Sequence, residues 1–236
     1  MTSAHVDNLF TRPLEKGRVL IAPSILSADF AIMGEECRGV LAAGGDLLHV
    51  DIMDGHFVPN LTMGPDLCRC VRKALPQAFL DVHLMVTDPA MFVEPFAKAG
   101  ANHLTFHVEV VPPEQIAPLA DRIRSLGMTA GLAINPPTAQ ERILPHVGKV
   151  DLVLVMSVNP GYSGQAFIEP VLEKTRAVRR LLRPDQRLEM DGGIKPDNAA
   201  AVREAGCDVL VAATAVFSQP PERRSVVMGS LAGISR

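Results

Sequence analysis

A chain of 236 residues is long enough for one large domain, and barrels of alternating strand and helix take about 250 residues. Its 23 basic and 26 acidic residues give a net charge of −3, with Arg179-Arg180 and Arg223-Arg224 as isolated basic pairs, so nucleic acid is not an expected partner. No apolar run spans a membrane, no apolar signal segment opens the chain, and Cys37, Cys68, Cys70 and Cys207 form no Cys-x-x-Cys; the thiols read as reduced core residues of a cytoplasmic protein.

Met1 to Gly17 is polar and aperiodic and is expected to be a loose extension, leaving residues 18–236 as a single domain. From Arg18 onward one pattern recurs: an apolar strand, a loop, a helix-like segment, then a small residue and Gly before the next strand. Strands are expected at Val19 to Pro23, Leu47 to Ile52, Phe79 to Leu84, His103 to His107, Thr129 to Ile134, Leu152 to Met156, Arg187 to Met190 and Val209 to Ala212. Helices are expected near residues 30–42, 65–74, 89–98, 114–125, 138–145, 168–182 and 196–204, with the last, after Thr214, broken by Pro220-Pro221. A Gly just past a helix supplies the left-handed cap that turns the chain back to the sheet. Strands without polar alternation argue a parallel sheet covered on both faces. Eight such units suit an α/β fold of the (β/α)8 TIM-barrel type in one domain, with its chemistry at the C-terminal ends of the strands.

Those ends carry polar residues that a buried strand would not normally hold. The second strand closes with His49, Asp51 and Met53 on one face, the first with Pro23-Ser24, the third with Asp81, His83 and Met85, and the seventh with Glu189-Met190-Asp191. Side chains two apart on a strand share a face. Buried imidazoles and carboxylates must be paired, hydrogen-bonded or bound to a metal. Two imidazoles and two carboxylates converging on one mouth make a mixed nitrogen and oxygen set suited to zinc, iron(II), manganese or cobalt rather than calcium or magnesium.

The later loops look built for an anion. Ser157 to Gln165 includes Gly161, Tyr162, Ser163 and Gly164; Asp191 is followed by Gly192-Gly193; and Ala213-Thr214 opens a short helix. Barrels often bind phosphate with backbone N–H groups of the last loops, where glycine permits close approach.

Ala22-Pro23-Ser24-Ile25-Leu26-Ser27-Ala28-Asp29, His49 through Asn60, Asp81 to Val86, Met156 to Gly161 and Asp191 to Ile194 together resemble the ribulose-phosphate 3-epimerase family, in register from about Val19 to Phe217. The resemblance implies interconversion of D-ribulose 5-phosphate and D-xylulose 5-phosphate by inversion at carbon 3. Carried over residue by residue, it implies one divalent metal ion held by His49, Asp51, His83 and Asp191, with Asp51 as proton acceptor and Asp191 as proton donor. It further implies that Ser24, His83 and the glycine loops hold the substrate, under an apolar cap of Met53, Met85 and Met156. Removing the carbon 3 proton leaves negative charge on oxygen, which a metal ion stabilises, and inversion needs two acids serving opposite faces. The partners expected are a small sugar phosphate and further copies of the chain.

Two departures touch the phosphate loops: Tyr162-Ser163-Gly164-Gln165 stands where the family usually has Gly-Phe-Gly-Gly-Gln, and Ala213-Thr214 where it usually has Gly-Ser. Chain-length selectivity lives in loop shape, so two alternatives stay open: the same chemistry on a hexulose phosphate such as D-allulose 6-phosphate, and a non-catalytic sugar-phosphate-binding relative. Elsewhere, Asp29 is expected to cap a helix and Asp54, His56 and Asn60 to fix a loop. His5, His103 and His146 are read as structural. Asp81 is left without a role, and nothing in the sequence shows that His107 and Glu109 reach the ligands.

Overall fold

The glycine-bounded apolar runs form eight parallel strands: β1 Leu20–Pro23, β2 Leu48–Met53, β3 Leu80–Met85, β4 His103–His107, β5 Thr129–Ile134, β6 Leu152–Met156, β7 Arg187–Asp191 and β8 Val209–Ala212. The structure is a computed structural model that describes residues 8–15 and 17–234. Neighbouring strands run in the order β1-β8-β7-β6-β5-β4-β3-β2. At the seam, a parallel bridge joins Ser24 to His49 and the Asp46 N–H donates to the Ile21 carbonyl, making a (β/α)8 barrel.

The outer layer comprises α1 Met33–Ala42, α2 Pro65–Ala74, α3 Val93–Ala99, α4 Pro113–Ser125, α5 Val171–Arg179, α6 Pro196–Glu204, α7 Thr214–Phe217 and α8 Pro221–Ala232. Four of them open on Pro at the first position, Pro65, Pro113, Pro196 and Pro221, where the missing N–H would have had no partner in the helix. Residues 138–145 differ from expectation: they lie in short 3₁₀ turns, Gln140–Arg142 and Leu144–Lys149. Pro145 lacks the N–H that an α-helix would need there.

Strand alternation sends Leu48, Val50 and Ile52 outward into the core beneath the helices and turns His49, Asp51 and Met53 into the barrel. The register aligns these with β3, pairing His49 with Asp81, Asp51 with His83 and Met53 with Met85. β4 adds His103, Thr105 and His107. Gly131 on β5 makes room for them, since a Cβ there would collide with Thr105 Oγ1 and His103 Nε2. Much of the rest of the interior is apolar, with Leu20, Ala22, Ala133, Leu152, Leu154, Val209 and Val211 packed together.

The floor of the barrel corrects one expectation. Part of the supposedly loose extension is packed: Leu9 and Phe10 join the interior cluster, and Phe10 is fully buried, its ring 4.8 Å from both Phe79 and His103. Burying an aromatic ring there stabilises the segment by about 2–3 kcal/mol. Residues 1–7 and 16, including His5, lie outside the described residues.

Candidate active site

At the opposite end, β2, β3 and β7 bring four of the expected residues together. Asp51 Oδ1 lies 3.3 Å from His49 Nε2 and 3.3 Å from His83 Nδ1. Asp191 Oδ2 lies 4.0 Å from the same His49 nitrogen and 3.8 Å from the same His83 nitrogen. One donor atom of each residue is thus within 4.8 Å of all the others.

His49 Nε2 is buried and has no hydrogen-bond partner, while His49 Nδ1 is held by Asp81 Oδ2 at 2.7 Å. An imidazole pinned through one nitrogen by a carboxylate, with the other aimed at further ligands, is the arrangement metal sites use. Burial works against a charged His49, but Asp51 and Asp81 beside it hold its pKa well above the ordinary imidazole value. The cluster favours a positive charge among its carboxylates, and its donors fit a divalent ion.

The two acids sit in different electrostatic surroundings. Burial would raise the pKa of Asp51, but His49 and His83 outweigh it and hold the carboxyl far below its usual range; the Ser24 hydroxyl donates to its Oδ2 at 2.5 Å. Asp191 is pushed up to about 7, by burial first and then by the charge of Asp51. Burial also brings His83 down to about 4, against the pull of Asp51, so that it is neutral near pH 7.

Asp51 and Asp191 line one cavity, and Ser24, Met53, Met85 and Met156 form its wall beside them. Its far side is made by Gly161, Tyr162, Ser163, Gly164, Gly192, Gly193, Ala213 and Thr214. The carboxylates and the glycine loops therefore share one space. Gly192 and Gly193 have φ of +119° and +63°; a Cβ on Gly193 would meet the Gln165 carbonyl at 2.8 Å, so only glycine lets these loops pack so closely. Ala213 has φ −101°, outside the positive-φ region that favours glycine.

Some expected residues have partners of their own within the protein. Ser24 spends its hydroxyl hydrogen on Asp51. His83 is fully buried behind the two carboxylates and not on the cavity wall, where a substrate contact would require it. The Tyr162 hydroxyl donates to the Pro59 carbonyl at 2.6 Å and Asn60 Nδ2 to the Gly161 carbonyl at 2.7 Å, so the loop after β2 is tied to the loop after β6. Asp54 accepts from the backbone of His56, Phe57 and Thr87 and fixes the same loop.

Two groups that the sequence names without assigning them a role reach the site. Asp81, left without a role there, anchors His49, and Glu189 lies beneath it with Oε1 3.6 Å from His49 Nδ1. Burial and the neighbouring Asp81 raise the Glu189 pKa well above the ordinary carboxylate value. The strand period was the available signal, because Glu189 precedes Asp191 by two. The other group is His107 and Glu109, which reach the site through His83 Nε2, 2.8 Å from His107 Nε2.

Comparison with known proteins bears on the same region. The description "Ribulose-phosphate 3 epimerase family" belongs to a family model that matches residues 20–217. Ribulose-phosphate 3-epimerase of Serratia marcescens is 48% identical over 210 residues, covering 88% of this chain and 99% of the relative. The Escherichia coli K12 protein of that name is 45% identical over 210 residues, with 88% and 92% covered. Among solved structures, Mycobacterium tuberculosis tryptophan synthase superposes with a TM-score of 0.71 at 14% identity over 100% of this chain and 99% of the other. A 3-hexulose-6-phosphate synthase gives 0.64 at 16% identity over 93% and 100%. At such identities these two structures share the barrel alone. No helix among the described residues is long and apolar enough to cross a membrane.

Proposed function

The chain belongs to the ribulose-phosphate 3-epimerase family and is an isomerase; from that premise we propose that it interconverts D-ribulose 5-phosphate and D-xylulose 5-phosphate by proton transfer through Asp51 and Asp191. His49, Asp51, His83 and Asp191 would hold a divalent ion, and their mixed donors suit zinc, iron(II), manganese or cobalt. Such an ion supplies positive charge to the substrate oxygens that become negative as the carbon 3 proton leaves.

The remaining steps fall to side chains. Asp51, kept ionised by His49 and His83, takes the proton from carbon 3 and leaves an enediolate. Asp191, raised to about 7, delivers a proton to the other face. One turnover leaves Asp51 protonated and Asp191 ionised, ready for the reverse reaction or for exchange with solvent. Met53, Met85 and Met156 keep water from the reacting carbon, while the glycine loops and Thr214 hold the phosphate.

The observation that carries this reading is the shared cavity, lined by Asp51 and Asp191 together with the glycine loops. Its test is proton NMR of carbon 3 during turnover of ribulose 5-phosphate in heavy water, beside a parallel assay on D-allulose 6-phosphate. Product formed early should carry deuterium at carbon 3, because a carboxyl in water exchanges its proton before substrate arrives. Early product retaining its original hydrogen would remove the two-acid assignment. Faster turnover of the hexulose would transfer the reading to that substrate.

A further inference from the structure

We propose that Tyr162 is a positioning residue whose hydroxyl, by bonding the Pro59 carbonyl, holds the loop after β6 in the shape that receives the substrate's phosphate. The inference deepens the proposed function and rests on its reading of the glycine loops as the phosphate site.

The two loops it joins come from opposite walls. β2 and β6 face each other across the barrel, with β3, β4 and β5 between them on one side and β7, β8 and β1 on the other. The loop after β2 is a fixed support, anchored to the strand that carries Asp51. Within it, the Thr62 hydroxyl donates to the Asp51 carbonyl at 2.7 Å and accepts from the Met53 N–H at 3.0 Å. Asp54 accepts from the N–H and the hydroxyl of Thr87, each at 2.8 Å, and the Gly55 N–H donates to the Asn60 carbonyl at 2.9 Å. Val58 is buried in a cluster with Met53 and Met85.

The loop after β6 has far less of its own. Among the described residues, no backbone-to-backbone hydrogen bond falls within Val158 to Phe167. Gln165 Nε2 donates to the carbonyls of Asn159 and Tyr162 at 2.7 and 2.8 Å, which ties the loop only to itself. What it leans on is the loop opposite: the Tyr162 hydroxyl donates to the Pro59 carbonyl at 2.6 Å, and Asn60 Nδ2 donates to the Gly161 carbonyl at 2.7 Å. A Cβ on Gly161 would stand 3.6 Å from Val58 Cβ, so the two loops are in contact there. Ser163 and Gly164, which line the cavity, follow directly on the two tethered residues. Tyr162 is 56% exposed, so burial does not fix its ring and the hydroxyl bond does. The Phe usual at this place in the family has no hydroxyl and cannot make that bond. A loop already in its bound shape loses less conformational freedom when the ligand arrives, and the tether should therefore be read in phosphate affinity.

Tyr162→Phe is the informative change, because it removes one oxygen and leaves the ring. Three measurements on the full-length protein decide: ¹⁵N relaxation order parameters of the amides from Gly161 to Gln165, calorimetric titration with inorganic phosphate, and steady-state kinetics on ribulose 5-phosphate. In the wild type the order parameters should stand near the rigid value of about 0.85 before any phosphate is added, and in Tyr162→Phe they should fall. Phosphate affinity should drop about two- to tenfold, the range that one net hydrogen bond supplies. KM should rise by the same factor, with kcat moving less. Wild-type order parameters below about 0.6, the flexible range, overturn the proposal without any variant. Equal or tighter phosphate binding by Tyr162→Phe overturns it too, and a lowered thermal midpoint with unchanged phosphate affinity would make the bond purely structural. A wild type that binds phosphate but does not epimerise ribulose 5-phosphate overturns the reaction assigned above and leaves the tether standing; one that binds no phosphate overturns both.

Discussion

His103 on the floor of the barrel is as deeply buried as His49 at the mouth, yet the two rings are treated in opposite ways. Thr129 Oγ1 lies 2.7 Å from His103 Nδ1 and Thr105 Oγ1 lies 2.9 Å from its Nε2, and a hydroxyl can turn to donate or accept as either nitrogen requires. Asn8 Nδ2 donates to Thr129 at 3.3 Å and Phe10 closes over the ring edge. Every polar atom of that ring is satisfied within the protein. At the mouth, His49 Nε2 has no partner and points among carboxylates that have no hydrogen bond to spare for one another. Burial alone does not separate structural from functional polar groups; a surplus of acceptors facing one centre does.

The comparison breaks hardest at the acids. Asp51→Asn and Asp191→Asn each keep a neutral ligand of similar shape and lose a proton carrier. Turnover should fall by about 10²- to 10⁴-fold in each; the denaturant midpoint should hold or rise in Asp191→Asn, whose charge burial and Asp51 oppose, and fall in Asp51→Asn, whose charge His49 and His83 stabilise. Near-native turnover of Asp191→Asn would make the mouth no more functional than the floor.

How far this contrast was legible in the sequence follows from which contacts are local. β4, β5, β6 and β8 have the expected bounds, because apolar runs cut by Gly carry their own punctuation. His49, Asp51 and Asp191 were visible because a period of two puts chemistry on the inward face. The His83–His107 contact was not, because it depends on how β3 and β4 lie beside each other in the closed barrel. Leu9 and Phe10 were missed for a related reason: a two-residue plug has no periodicity, and its partners Phe79 and His103 stand far along the chain. Residues 138–145 misled in the other direction, with a helix-like composition in a segment too short and too broken at Pro145 to hold one.

The floor should answer to stability where the mouth answers to rate. Phe10→Ala should cost about 3–5 kcal/mol of unfolding free energy with turnover per folded molecule unchanged; a comparable loss of turnover would mean that the plug shapes the site. A smaller effect comes from acid. Burial brings His103 down to about 4, below the ordinary value near 6.5. Between those two pH values the unfolded chain binds a proton that the folded chain does not, so stability rises with pH across that window and is flat below it for this group. His103→Gln should remove up to about 3 kcal/mol of that pH dependence, read as the difference in denaturant midpoints at pH 7 and pH 4. An unaltered slope would place the acid sensitivity elsewhere.

The smallest effect is expected at Ala213 and Thr214, where the phosphate loops depart from the family's usual Gly-Ser. A glycine is needed where the backbone has positive φ or where a Cβ would strike a neighbour, and Ala213 has φ −101°. Its N–H keeps the same aim whichever of the two residues carries it. Thr214 differs from Ser by a methyl, and that methyl lies beside Gly164, 3.7 Å from where a Cβ there would stand, which is ordinary contact. Ala213→Gly with Thr214→Ser should therefore change KM for ribulose 5-phosphate by no more than about twofold, the effect of roughly 0.5 kcal/mol. Gly164→Ala in the same cradle is the contrast. With φ +81°, a side chain there costs about 1–2 kcal/mol, and KM should rise about five- to thirtyfold if the loop must keep its shape to hold the phosphate. A large drop in KM for the double change would show that the two methyls crowd the phosphate, and equal KM values for all three proteins would remove this loop from phosphate binding.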